Sequence, residues 1–139
     1  MKIVIDANEL FSLLIRGSKD SRDILFSNKI ELIAPEFIFV EFLNNKDEIL
    51  SKTHRSNEEF LEVFSIFQDK IKLVAQQEFE NFINEACNLF PEHTKDNAYL
   101  ALALKYSCPI WSEEKLLKRQ DKIKVFNSKE LAEKLRNEL

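Results

Sequence analysis

The sequence is poor in residues that turn or break a chain, with one glycine, Gly17, and three prolines, Pro35, Pro91 and Pro109, in 139 residues. That scarcity excludes collagen-like, linker-rich and tight-turn β-rich architectures and favours helices with short connections. Cysteine is nearly as rare. Cys87 and Cys108 lack C-x-x-C spacing and lie in apolar surroundings, so they are expected as packing residues rather than as a disulfide or zinc site. No apolar run approaches the ~18 residues that span a bilayer, and the acid at position 6 comes too early for a signal-peptide core. A cytoplasmic protein without a membrane partner is expected. Excess basic charge is also missing. Twenty Lys and Arg face 24 Asp and Glu, a net charge of −4, so no whole-molecule field attracts nucleic acid or anionic lipid.

What is present suits one compact domain over residues 1–139. The chain is 45% hydrophobic and 32% charged, and a chain of this size buries about two thirds of its unfolded surface without staples. Residues 2–5 (KIVI) read as a short buried strand, and residues 8–15 (NELFSLLI) as a helix that stops at Gly17. A further helix follows from Ser18. Strand signals recur at 30–35, 71–74, 108–111 and 123–126. Between them lie helical patterns at 37–43, around Phe60–Phe67, from Phe79 to Phe90, and from a Thr94 cap to about 106, with a short turn at 114–119 and a final helix from Asn127 or Ser128. Residues 44–59 are polar and of mixed charge. Strands alternating with helices predict a helix-rich α/β fold, a three-layer α/β/α sandwich around a mostly parallel sheet.

In a parallel sheet, ligands gather outside the carboxyl ends of the strands, so acids there stand apart from the acidic background. Asp6 directly follows the first strand, and Glu114 lies three residues past Trp111. Asp96 falls in the first turn of the apolar helix, and Glu41 interrupts FIFVEFL. Taken singly, each acid also fits a helix cap or a surface pair. Taken together, carboxylates converging on a partly buried site repel one another and are tolerated when a cation compensates them. An oxygen-rich set with Asn8 and Ser112 beside it suits Mg²⁺ or Mn²⁺ better than zinc, and His54 and His93 are expected at the surface.

The stretches IVIDANELFSLL, APEFIFVEFL, KDNAYLALAL and PIWSEEKLLKRQ, in this order and spacing, make the chain resemble the PIN domain family over nearly its whole length. The resemblance implies a ribonuclease that hydrolyses RNA phosphodiesters with Mg²⁺ or Mn²⁺. Carried over position by position, Asp6, Glu41, Asp96 and Glu114 become the catalytic and metal-binding set, with Asn8 and Ser112 as supporting polar residues. The sequence departs from the family at the fourth acid. Glu113-Glu114 stands where S-x-D is usual, so either glutamate fills the position. Many small members are toxins held by a small antitoxin, and many form homodimers; both partners are implied here.

RNA still requires cations near the site. Residues 115–124 hold Lys115, Lys118, Arg119, Lys122 and Lys124 against the single acid Asp121, and Lys46, Lys52 and Arg55 form a second candidate rim. The solvated helix face is the plain alternative. Two other function classes compete with the nuclease: a catalytically silent module of this family that binds RNA or protein, and a phosphoacceptor domain built on Asp6. The latter wants D-x-D, and position 8 is Asn.

Overall fold

A computed structural model describes residues 1–15, 17–91 and 97–137. Five strands, β1 (Lys2–Ile5), β2 (Glu31–Pro35), β3 (Ile71–Val74), β4 (Ile110–Trp111) and β5 (Val125–Phe126), form one sheet in the order β3-β2-β1-β4-β5. Every pairing is parallel. The central strands are apolar throughout: Ile3, Val4 and Ile5 of β1 are buried, as are Leu32, Ile33 and Ala34 of β2, which is what a strand covered on both faces requires.

The connections from β1 to β2 and β2 to β3 step one way across the sheet, and that from β3 to β4 steps back. Right-handed crossovers then put the intervening helices on opposite faces, giving the three-layer sandwich. The first group comprises α1 (Ala7–Ile15), α2 (Lys19–Leu25), α3 (Ile38–Asn44), α4 (Lys46–Thr53) and α5 (Asn57–Lys70). The second comprises α6 (Gln76–Phe79), α7 (Ile83–Leu89) and α8 (Asn97–Tyr106). The last of these packs on β1, β2 and β4, and α9 (Ser128–Asn137) returns from β5 to pack on α2. Among the described residues no helix is long and apolar enough to cross a membrane.

Much of the phenylalanine serves the core of the first layer. Phe42 of α3 is fully buried and stacks on Phe11, Phe60 and Phe64 at 6.1, 5.1 and 5.6 Å, with Phe67 edge-on at 5.5 Å. This cluster ties α3, which carries Glu41, to α1, which follows Asp6.

Several elements differ from the sequence expectation. The strand expected at 108–111 shortens to 110–111 because the Cys108 amide closes the end of α8 on the Ala103 carbonyl, with Ser107 at positive φ. The strand expected at 123–126 shortens to 125–126 because the buried Gln120 side chain takes both the amide and the carbonyl of Ile123. The polar stretch 44–59 is helical over most of its length: α4 buries only Ile49, and α5 opens on a Ser56/Glu59 capping box. The helix expected from Phe79 begins at Gln76 and passes through a tight 3₁₀ segment, Glu80–Phe82, with Phe79, Ala86 and Phe90 buried. Cys108 is buried, its thiol pushed up to about 11 mainly by desolvation, and Cys87 is half-buried, accepting from the Asn97 amide. The expected cap Thr94 and His93 lie outside the described residues, while His54 is exposed.

Candidate metal centre at the sheet edge

The strand order reverses direction between β1 and β4, one leading to β2 and β3 and the other to β5. At such a switch point the two outgoing chains diverge and leave a crevice at the carboxyl edge. Asp6 leaves β1 there and Ser112–Glu113 leave β4, the two exits being joined by the Asp6 amide donating to the Trp111 carbonyl at 3.5 Å.

Asp6 is 3% exposed and accepts from the Glu9 amide at 2.9 Å, capping α1. Ser112 is buried, and its hydroxyl accepts from the Glu114 amide at 3.0 Å, which fixes the turn after β4. The neighbouring glutamates divide. Glu114 turns its carboxylate onto the Leu116 amide at 3.1 Å and caps the 3₁₀ turn Lys115–Arg119. Glu113 accepts from the Ser128 amide at the start of α9 at 3.0 Å and meets the carboxyl of Glu9. Ser128 also receives the Trp111 indole N–H at 3.0 Å and the Ser21 hydroxyl at 3.1 Å, so the wall behind Glu113 is cross-braced.

Glu9 is the residue that sequence reading missed. It is 1% exposed, and among the described residues neither carboxylate oxygen has a hydrogen-bond donor. Its pKa is raised from 4.5 to about 8, first by burial and then by the negative charges of Glu113 and Asp6. Two acceptor-only groups can join across such a contact only by sharing a proton or a cation. The available signal was an acid inside the apolar run ANELFSLL, three residues after Asp6.

Glu41 sits half-buried on the first turn of α3, and Asn8 is exposed on α1. Asp96 lies outside the described residues, immediately before α8.

A family model described as PIN domain matches residues 4–135. The chain belongs to the PIN domain family. Among solved structures, a chain of "Crystal structure of VapBC2 from Rickettsia felis bound to a DNA fragment from their promoter" aligns with a TM-score of 0.71, covering 91% of this chain and 98% of that one. The two share 11% of their residues, so the likeness is one of fold. No curated protein matches the sequence.

The donor set of this PIN domain fits a hard divalent cation: oxygens only, with the orphaned carboxylate of Glu9 buried beside Asp6 and Glu113. Among the described residues no three acidic, histidine or cysteine side chains form a ready-made cage.

The expected basic run is not one patch. Lys115 opens the 3₁₀ turn at the acidic edge, but Lys122 and Lys124 line a 480 Å³ cavity with Met1, Ser107 and Pro109, residues at the amino ends of β1 and β4. Lys122 is ion-paired with Glu85, and Lys118 with Glu130, whose carboxyl is held below its usual range by the Asn127 amide and by Lys118. Arg119 ends the 3₁₀ turn. The second rim is partly engaged as well: Lys52 pairs with Glu48 at 2.7 Å, Arg55 donates to the Leu14 carbonyl at 3.1 Å, and Lys46 lies over the Phe60 ring.

Proposed function

We propose that this PIN domain is a Mg²⁺- or Mn²⁺-dependent endoribonuclease. The observation that carries the reading is the convergence of the Asp6, Glu9 and Glu113 carboxyls at the switch point of a parallel sheet, where like charges are stable only with a compensating cation or proton. Asp6, Glu41, Asp96 and an acid following β4, Glu114 by family position or Glu113 by its contact with Glu9, would hold the metal. When bound, the ion supplies Lewis acidity, lowering the pKa of a water that attacks phosphorus and stabilising the departing 3′-oxygen.

The chain's own residues prepare that chemistry. Asp6, fixed by its bond to the Glu9 amide, presents its carboxylate without rotamer search. Ser112 sets the turn that projects Glu113 and Glu114, and exposed Asn8 offers an amide to the RNA strand at the mouth. Lys115, Lys118 and Arg119 are the cations proposed to meet phosphate on this edge, Lys118 and Arg119 in exchange for the contacts they make within the chain. Lys122, at the opposite edge and paired with Glu85, is withdrawn from the proposed RNA surface. A small antitoxin and a second copy of the chain are the proposed partners, and the cytoplasm the proposed compartment.

A second reading, a silent module that binds RNA or protein, is favoured by one feature. Glu114, at the usual fourth-acid position, spends a carboxylate oxygen on capping the 3₁₀ turn. Cleavage of a panel of single-stranded and structured RNAs with and without EDTA decides between the two. Asp6→Asn and Asp96→Asn are expected to abolish EDTA-sensitive cleavage while the far-UV circular dichroism stays native. Full activity in both variants refutes the assignment.

A further inference from the structure

Glu9 has no place in the acid set implied by family membership, and helix capping does not account for it. An acid three residues after an N-cap ordinarily completes a capping box by accepting the N-cap amide. Here only half of the box forms. The Glu9 amide reaches Asp6, but the Asp6 amide is directed to the Trp111 carbonyl, and both oxygens of the Glu9 side chain are buried with no donor among the described residues. A buried carboxyl short of donors is costly to ionise and must keep a proton or gain a counter-charge, and a leucine or valine would fill an apolar helix position with neither requirement. Glu113 lies within hydrogen-bond reach of the Glu9 carboxyl, a contact between two acceptor groups that needs a shared proton or a cation, and Glu113 and Asp6 both repel the ionised form. All three carboxyls stand at the β1/β4 crevice, where a sheet of this order binds its ligand.

We propose that Glu9 is a further cation-binding residue of this centre, its carboxylate acting with that of Glu113 as an oxygen ligand to a divalent ion between β1 and β4. The inference rests on the reading of this edge as a metal centre and adds to it a ligand from the first helix. It also assigns Glu113 the ligand role and leaves Glu114 to shape the turn. Glu9 approaches from inside the fold, so it binds the ion on the face away from RNA.

The test uses the full chain and Mn²⁺ as the probe, read by titration calorimetry and by the Mn²⁺-induced rise in Tm, with no activity assay involved. Wild type, Glu9→Gln, Glu9→Leu and Asp6→Asn are compared. Glu9→Gln is expected to weaken Mn²⁺ binding by about tenfold or more. A residue kept for structure lowers the metal-free Tm when replaced; a ligand that burdens the metal-free fold raises it, and Glu9→Leu is expected to do so while losing Mn²⁺ affinity. Should Glu9→Gln fail to fold, Glu9→Leu carries the same two readouts. Wild-type affinity in both Glu9 variants, with loss in Asp6→Asn, overturns the role of Glu9 and leaves the metal centre standing. Absence of Mn²⁺ binding in wild type overturns the metal centre and this proposal with it.

Discussion

Replacing Phe42 with alanine tests whether the aromatic cluster holds the two halves of the site in register. The ring is fully buried and touches four others, three stacked and one edge-on, drawn from α1 and α5. Truncating a buried phenylalanine costs about 3–5 kcal/mol. Each aromatic pair adds about 0.5–1.5 kcal/mol beyond area burial, which points to the upper part of that range, about 4 kcal/mol. Domains of this kind are stable by about 5–15 kcal/mol, so Phe42→Ala stays folded, though at the lower bound by only about 1 kcal/mol. With a urea m-value of about 2 kcal/mol/M, the unfolding midpoint falls by about 2 M. Leu61→Ala, at a position 48% exposed on α5, serves as the control and is expected within about 0.5 kcal/mol of wild type. A destabilisation below about 1.5 kcal/mol for Phe42→Ala, the cost of a conservative core swap, refutes the view that these rings fix α3 against α1.

The other consequences concern charge. In the metal-free protein the folded chain holds a proton on Glu9 up to about pH 8, whereas the unfolded chain releases it near 4.5. The folded state therefore binds more protons across that window, and this group's effect on stability is least adverse below 4.5 and worsens as pH rises toward 8, by a few kcal/mol in total. Denaturant midpoints of wild type and Glu9→Gln measured across the window with chelator present are expected to diverge steadily, and parallel profiles count against the buried acid. For RNA affinity, Lys115→Ala is expected to reduce the salt slope by about 0.7 for each phosphate that the lysine neutralises on a single strand. Lys122→Ala, at the far edge and paired with Glu85, is expected to leave the slope unchanged; a larger change for Lys122 than for Lys115 reverses the proposed RNA surface.

The layer architecture was legible because its signals are local. β1 and β2 are apolar runs bounded by charge or proline, and the buried face of α8 covers seven of its ten residues, so period and hydrophobicity suffice. The ends of β4 and β5 were not legible because side chains and helix ends compete for the same amides. Gln120 captures Ile123, and the end of α8 captures Cys108, pairings that no window on the sequence reports. Nor did the polar stretch 46–53 declare itself a helix, since it buries one residue, Ile49, and derives its order from packing on α1 and α3. The basic run at 115–124 shows the same limit from another side. Ten residues suffice to carry the chain from the carboxyl edge of β4 to the amino edge of β5, so neighbours in sequence end on opposite sides of the sheet.

The acidic site divides along the same line. Position after a strand identified Asp6 and the Glu113-Glu114 pair, because strand ends define the sheet edge before any tertiary contact is known. Which of the two glutamates faces inward depends on a backbone amide 15 residues away, that of Ser128, which draws Glu113 toward α9 while Leu116 draws Glu114 into the next turn. Glu9 was hidden for a different reason. The pattern D-x-x-E at a helix start has an economical local explanation, the capping box, and that explanation holds only while the Asp6 amide is available to complete it. Pairing of β1 with β4 removes that amide, because its N–H turns to Trp111. The same strand pairing that creates the crevice therefore releases the Glu9 carboxylate from its local role and leaves it facing the charges of Glu113 and Asp6, the position from which we propose it binds a cation.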